Sequence, residues 1–308
     1  MNQQFTLNRI ITKFLTFLEK PQYPHKLALL RVSIGVFSLF KVLLLGNDFV
    51  SIYGQYGIVQ WAITKSAIFN FLPHAGDFSF LNIDNSENLI LTLRSLYIFF
   101  LSLFIFGFFS RVVSICCCYF HLLFLHTGGG LTYGVDVFNQ IAFFYSIFMP
   151  IGACYSIDSL IYKKEILPSI NAGISIRTLQ IFLCLMYLSS GIEKAMGIQW
   201  WNGEAIWRTV MLPSFKHFDM SFLASFPIIA KLLGWTVLFI EIGYCVFIWL
   251  PKFRLIFLFL IVILHLNIGL FLGMWLFGII MILFSLIAFG SESYLDFKYF
   301  FNKRYNLF

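Results

Sequence analysis

The 308-residue chain is 60% hydrophobic and only 11% charged, with a mean hydropathy of +0.86. This composition excludes an ordinary soluble domain and indicates a polytopic membrane protein, because long apolar runs of this kind cross bilayers. The net charge of +7 is interpreted as membrane topology and attraction to anionic lipid. No basic cluster with interleaved aromatic residues favours nucleic-acid binding.

The first segment of the chain mixes apolar and charged side chains over residues 5–19. This pattern is typical of an amphipathic helix that lies on the inner membrane surface. It lacks the small-residue cleavage site of a secretory signal, so we expect it to remain in the mature protein. Pro21 and Pro24 separate it from the first span, and residues 1–26 are therefore predicted to form an interfacial helix.

Runs of about 17–25 apolar residues predict eight membrane spans. The spans cover residues 27–46, 90–110, 112–131, 137–155, 174–196, 222–250, 254–273 and 274–290. Ser110 and Arg111 divide the second span from the third, a turn at Gly273 divides the last two, and the sixth has an interruption near Pro227. The predicted fold is an all-α, polytopic transmembrane bundle.

The distribution of lysine and arginine predicts the orientation of this bundle. Most of the 21 basic residues fall on segments that are inside if the N-terminus is inside, so both termini are predicted to be cytoplasmic. The chain is then one transmembrane domain over residues 27–290 and a cytoplasmic tail over 291–308. The outer segments 47–89 and 197–221 are too short for independent domains, and we expect them to cap a cavity between helices.

A charged pair, Glu193 and Lys194, lies where the fifth span leaves the hydrocarbon. Charges at that depth are costly and favour a functional role. Ser190 and Gly191 share the helix face of Lys194, and small residues there allow another helix or a flat ligand to approach. The alternative is a structural lysine that snorkels toward the headgroups.

Other polar residues interrupt the apolar runs, and each needs a partner. Among them are Asp136, Glu241, His265 and Asn267, together with His121, His126, Asn139 and Gln140. Three of them also have a structural alternative. Asp136 could be a helix N-cap, and Glu241 could pair with Arg31 or Arg254. His265 could make an interhelical hydrogen bond. No phosphate loop, nucleophilic serine motif or metal-ligand spacing is present, and the six cysteines are interpreted as small apolar residues.

Five motifs in order resemble the HTTM superfamily, whose best-known members are the vitamin K-dependent gamma-glutamyl carboxylases. The motifs are Arg31, the segment Cys154-Tyr155-Ser156-Ile157-Asp158, the lysine stretch from Tyr187 to Ala205 with its small residue-Gly-x-x-Lys and Trp-x-x-Gly patterns, Glu241 with Pro251 to Arg254, and His265 with Gly269 to Met281. The likeness covers roughly residues 27–290.

The resemblance implies a lysine base at the outer face. In the carboxylases, a lysine similar to Lys194 deprotonates reduced vitamin K, whose oxyanion reacts with dioxygen to give a strong base. That base takes a proton from a glutamate side chain, which then takes up carbon dioxide. The implied cofactor is reduced vitamin K or menaquinol, with O2 and CO2 as co-substrates and a peptide as the substrate. A lysine acts as a base only when it is neutral, which an apolar site favours.

The site residues that this hypothesis assigns fall into two sets. The catalytic set is Lys194, His265, Glu241 and Asp136, and the cofactor-binding set is Tyr187, Gly191, Trp201 and Asn267.

Departures from the carboxylase pattern leave other functions open. The chain ends soon after the last span, without the large lumenal region of the carboxylases. Val135 or Asp136 stands where they have a histidine. The short bacterial type of the superfamily, in the inner membrane, is the expected match. A non-enzymatic membrane factor for maturation, secretion or immunity of a partner peptide is the alternative. No pair of matching Gly/Pro-broken spans favours a transporter.

Overall fold

The computed structural model describes residues 2–66, 71–81, 85–163, 165–215 and 218–305, and within these ranges it is helical without a β-strand. The α-helices are α1 Asn2–Glu19, α2 His25–Leu44, α3 Asp48–Tyr53, α4 Trp61–Thr64, α5 Ser86–Phe106, α6 Ser110–Thr127, α7 Gly134–Phe148, α8 Ile157–Ile161, α9 Ile170–Met196, α10 Ile198–Asn202, α11 Glu204–Met211, α12 Phe222–Ser225, α13 Pro227–Phe247, α14 Pro251–Leu272 and α15 Trp275–Tyr305. Short 3-10 helices cover Ala75–Leu81, Gly129–Leu131 and Pro213–Phe215.

Seven helices in the described ranges are long and apolar enough to cross a membrane. They are α2, α5, α6, α9, α13, α14 and the first 25 residues of α15. The predicted all-α, polytopic bundle is therefore confirmed. The chain is an integral membrane protein by the length and composition of these helices.

The predicted fourth span, residues 137–155, is wrong in both of its boundaries. Helix α7 begins at Gly134, because the Asp136 carboxylate accepts the backbone N–H of Tyr133 at 3.1 Å and caps the first turn. It ends at Phe148, because Met149 precedes Pro150 and is extended. Its 15 residues span about 22 Å, less than the roughly 30 Å of a bilayer core. Both termini lie on the same side of the membrane only if the chain crosses it an even number of times. The prediction that both are inside therefore requires α7 to cross the membrane as an eighth span, in addition to the seven long helices.

The other predicted boundaries differ less from the structure. The second and third spans are divided at Gly107, which is left-handed with φ +68°, rather than at Ser110. The interruption predicted near Pro227 separates α12 from α13. Gly273, with φ +69°, ends α14 as predicted. Helix α15 continues past residue 290, so residues 291–305 of the predicted tail belong to that helix.

The chain divides into two compact units, residues 1–175 and 176–308. In the first unit, α2 packs on α5 and α7, and α6 packs between α5 and α7. In the second unit, α14 packs along α15, and α13 contacts α14, α10 and α11. Helix α9 begins in the first unit and continues into the second.

A buried arginine fixes one end of the first unit. Arg31 is 0% exposed, and its guanidinium donates to the backbone carbonyls of Ile151, at 2.8 Å, and Tyr155. The carboxylate of Asp158 accepts the backbone N–H groups of Phe109 and Ser110, each at 2.8 Å, and so caps α6 from a distant part of the chain. Two of the motifs that carry the family resemblance, Arg31 and residues 154–158, therefore have a structural role.

The predicted outer segment 47–89 contributes to a cavity, as expected for a cap. Phe49 and Tyr53 of α3 line a cavity whose other walls come from α2, α5, α6 and α7. Parts of the two predicted outer segments, residues 67–70, 82–84 and 216–217, lie outside the described residues.

The same segment contains a buried neutral histidine. His74 is 2% exposed, and its Nδ1 accepts the backbone N–H of Gly76 at 2.9 Å. The proton is therefore on Nε2, which donates to Thr64 Oγ1 at 2.8 Å. Burial, together with the nearby charge of Lys65, lowers the pKa of His74 to about 4.

Acid is expected to destabilise the protein through His74. The unfolded side chain binds a proton near pH 6.5 but the folded one only near pH 4, so stability falls as the pH drops through this window. The total loss is at most roughly 3 kcal/mol, and His74 adds nothing further below it. Unfolding free energies in detergent, measured across this range, are expected to fall less steeply for His74→Asn than for the wild type. Equal slopes would contradict the assignment.

Candidate active site

Lys194 lies in the last turn of α9, and its ammonium is held in an ion pair. Its Nζ donates to Glu241 of α13, at 2.8 Å from Oε2 and 3.1 Å from Oε1. It also donates to Ser190 Oγ, one helical turn back. The Lys194 side chain is 24% exposed and that of Glu241 is 9% exposed. The pair is therefore largely desolvated, but part of the Lys194 side chain stays accessible to a ligand.

Gly191 allows α9 and α13 to approach closely enough for this pair. A Cβ at Gly191 would lie 2.7 Å from Ile242 Cγ1 and 3.2 Å from Glu241 Cβ. The predicted small-residue face therefore contacts another helix. Glu193, one residue before the lysine, is exposed, which agrees with the expectation that neighbouring helical side chains diverge.

A tryptophan lies beside the lysine, but it is Trp200 rather than Trp201. The Lys194 ammonium is 5.6 Å from the centroid of the Trp200 ring, within cation–π range. Trp201 is 45% exposed, and its indole N–H donates to the backbone carbonyl of Ala195 at 2.7 Å.

Tyr187 and His265 form an aromatic cluster with Tyr244 of α13. The ring centroids of Tyr187 lie 5.8 Å from His265 and 4.6 Å from Tyr244. Tyr187 Oη lies 3.5 Å from Ser285 Oγ. Nδ1 of His265 is 2.9 Å from the backbone carbonyl of Ile261, so it carries the proton and Nε2 is left as an acceptor. The hydrogen bond that His265 Nδ1 donates therefore lies within α14. It is not the interhelical hydrogen bond that the sequence suggested as the structural alternative.

Two other predicted residues make different contacts. Asn267 is exposed on α14, and its amide donates to Ile263 within the same helix. Asp136 belongs to the first unit, where it pairs with Lys41. It is the third residue of α7 and accepts from Tyr133, so it serves a capping box rather than the N-cap position itself.

Glu241 does not pair with either arginine considered from the sequence. Arg254 pairs with Asp296 and donates to Ile248, at 3.0 Å, and to Trp249, at 3.1 Å. Arg31 contacts carbonyls of the first unit, as described above. The buried carboxylate is therefore satisfied by the lysine that the sequence had already singled out.

Sequence reasoning missed Tyr244, Ser285, Trp200 and Lys41. Tyr244 follows Glu241 by three residues, so helical spacing places both on one face of α13. Lys41 interrupts the first apolar run just as Glu241 interrupts the sixth. A charged residue within an apolar span is costly and indicates a functional or paired side chain, and this criterion would have identified Lys41 as well.

The described residues include no cluster of His, Cys, Asp and Glu that could hold a metal ion. All six cysteines are free thiols. Comparison with protein-family models, curated proteins and solved structures gives no match.

Proposed function

We propose that the chain is a membrane enzyme of the vitamin K-dependent carboxylase type, in which Lys194 takes a proton from a reduced quinone after Glu241 has taken the proton of Lys194. Its substrate is a peptide or another molecule at the outer face, with glutamate carboxylation as the model reaction. The membrane is the inner membrane of a bacterium. The observation that carries the proposal is the desolvated, partly reachable Lys194–Glu241 pair.

Lys194 has to lose its proton before it can act as a base. An ammonium has no lone pair, so the resting ion pair is inactive as an acceptor. Glu241 lies within hydrogen-bond distance through both oxygens and takes the proton from Lys194 when a ligand excludes the remaining water. This transfer is favoured because low polarity disfavours both charges of the original pair. The neutral amine of Lys194 would then be able to accept the proton of a quinol hydroxyl.

The neighbouring side chains position this base. Ser190 holds Nζ from the same helix, and Trp200 provides a ring face beside it. His265 carries its proton on Nδ1 and presents an acceptor at Nε2. Tyr187, 2% exposed, packs against His265.

A reduced quinone fits this site, because Lys194 is partly exposed and lies beside the flat ring of Trp200. When bound, the quinol supplies the reducing electrons and, with oxygen, the strong base that the chemistry requires. The residues of this chain take up and hold its hydroxyl proton. Asp136, in the first unit, is not part of the group around Lys194 that we describe.

A non-enzymatic membrane factor is the second candidate. It is favoured by the ion pair itself, which joins α9 to α13 at Gly191 and so has a structural use without catalysis. The two proposals differ in whether the lysine must lose its proton.

Oxygen-dependent quinol oxidation by the purified protein is expected to require a lysine at position 194. Lys194→Arg keeps the positive charge and the pair with Glu241, but a guanidinium does not deprotonate in proteins. We expect this variant and Lys194→Ala to lose roughly 10²–10⁴-fold in rate. The measurement is quinol absorbance in detergent with oxygen present and absent.

The matched control is Lys231→Arg, which changes a lysine that also lies over a tryptophan, 5.1 Å from the Trp235 ring. It is expected to oxidise quinol at the wild-type rate. A folded Lys194→Arg protein with wild-type activity would remove the catalytic role of Lys194. Background rates in every protein would favour the non-enzymatic factor.

A further inference from the structure

The first unit contains a small cavity that the proposed function does not use. It measures about 20 Å³, and its lining comes from α2, α3, α5, α6 and α7. A space of about 10–15 Å³ or more holds one water molecule when two to four polar groups face it. The size of the cavity therefore suits a single water and excludes larger ligands.

Some polar residues of the lining already satisfy one another. Asn139 donates to Ser38 Oγ at 2.8 Å, and Ser38 donates to the backbone carbonyl of Ile34 at 2.7 Å. The hydroxyl of Tyr97 bonds to Ser38 as well. These groups form a closed set of hydrogen bonds and need no further partner.

The ion pair on the same lining keeps hydrogen-bonding capacity. Lys41 and Asp136 have side chains only 14% and 8% exposed. An ammonium has three N–H groups, and a carboxylate has about four lone-pair sites. In the described part of the chain, Lys41 donates to Asp136, which also accepts the backbone N–H of Tyr133 at 3.1 Å. Buried charges with incomplete hydrogen bonding are costly, so both groups favour a further polar partner.

His121 adds an acceptor to this lining. Its Nδ1 lies 2.9 Å from Gln140 Oε1, and the Gln140 amide nitrogen donates to the sulfur of Cys118 at 3.2 Å. This orientation of the amide places the His121 proton on Nδ1 and leaves Nε2 as an acceptor. One donor, Lys41, and two acceptors, Asp136 and His121, therefore line the cavity.

This set of groups matches the hydrogen bonds of water. A water oxygen accepts from the ammonium, and its two O–H groups donate to the carboxylate and to the imidazole. The charges of Lys41 and Asp136 balance, so an added ion would have no compensating charge.

The other walls offer no competing hydrogen bond. The ring of Phe124 lies 5.0 Å from that of Phe49 and 5.2 Å from that of Tyr53, measured between centroids. Val42 and Leu125 are further apolar residues of the lining. A water in this space is therefore oriented toward the ion pair and His121.

We infer that the cavity binds one ordered water, which accepts from Lys41 and donates to Asp136 and His121. The water hydrates the buried ion pair and so stabilises its charges among apolar helices. The site lies wholly within the first unit and does not depend on the proposed function at Lys194.

The test is X-ray radiolytic footprinting of the full-length protein in detergent, read by mass spectrometry. Radiolysis of a bound water produces hydroxyl radicals that oxidise the rings beside it. Phe49 and Phe124 line the cavity and are only 1% and 4% exposed, yet we expect both to be oxidised. Phe104, 0% exposed in the same unit and not part of the lining, is the matched residue and is expected to stay at background.

Two variants remove the water in different ways. Val42→Leu adds a methylene group to the lining, and the double variant Lys41→Met, Asp136→Leu removes two of the three polar partners, since apolar cavities stay dry. Each is expected to lose the oxidation of Phe49 and Phe124. Val113→Leu is the control for Val42→Leu, because Val113 is equally buried in the first unit but does not line the cavity. It is expected to keep the wild-type pattern.

The inference is overturned if Phe49 and Phe124 in the wild type are oxidised no more than Phe104, a comparison that needs no variant. Unchanged oxidation in folded Val42→Leu would also overturn it, because the radicals would then come from elsewhere. Equal loss in Val113→Leu would show that repacking of the unit, rather than displacement of a water from this cavity, controls the oxidation.

Discussion

Glu241→Leu alone is expected to destabilise the protein by about 3–5 kcal/mol, whereas the double variant Lys194→Met, Glu241→Leu stays near the wild type. Removing one partner leaves the charge of the other in a largely apolar site, where it has lost its compensation. Removing both leaves an apolar contact of similar volume between α9 and α13. Because Lys194 keeps 24% exposure, water offsets part of the loss, and the lower end of the range applies.

A double-mutant cycle measures this coupling directly. The four proteins are unfolded in mixed detergent micelles, and the interaction free energy follows from the three differences. The exposed pair Arg208–Glu204, with side chains 74% and 40% exposed, is the matched control and is expected to couple by less than about 1 kcal/mol. If the Lys194–Glu241 cycle gives no more than the control pair, the pair is hydrated and cannot supply the desolvated base that the proposed function needs.

The helices could be predicted because apolar runs of span length have few other structures available to them in lipid. Their ends depended on local chemistry that hydropathy does not contain. The predicted span 137–155 extended through Pro150, although the residue before a proline disfavours helix. The predicted boundary at Gly273 was confirmed because a left-handed glycine ends a helix by itself.

The face of α9 could also be predicted, because the spacing of Ser190, Gly191 and Lys194 fixes it. The partner of Glu241 could not be predicted, since Lys194, Arg31 and Arg254 were all available and the choice depends on how helices distant in sequence pack. Asp136 shows the same limit. Its capping role could be predicted from its place at the start of α7. Its ion pair with Lys41 could not, because the two residues are 95 positions apart in the sequence.

Arg31→Met is expected to destabilise the protein by about 3–6 kcal/mol. The methionine is apolar and of similar length, but it leaves the carbonyls of Ile151 and Tyr155 without the donor that satisfies them. A hydrogen bond to a charged group contributes about 1.5–3 kcal/mol, and two are lost. Tyr155 itself has φ +48°, a backbone conformation that costs free energy for a residue other than glycine. The hydrogen bond from Arg31 to the Tyr155 carbonyl helps to hold this conformation.

Gly107→Ala tests the same contact from the other side. A Cβ at Gly107 would lie 2.5 Å from Arg31 Nη1 and 2.5 Å from Ser156 Cβ, and the residue has φ +68°, so the substitution both strains the backbone and displaces the guanidinium. Arg111→Met, at an exposed arginine, is the control and is expected to change stability by less than about 0.5 kcal/mol. Unfolding in mixed micelles compares the three variants. If Arg31→Met unfolds like Arg111→Met, the buried guanidinium does not hold residues 151–155, and the conformation of Tyr155 must be maintained by other contacts.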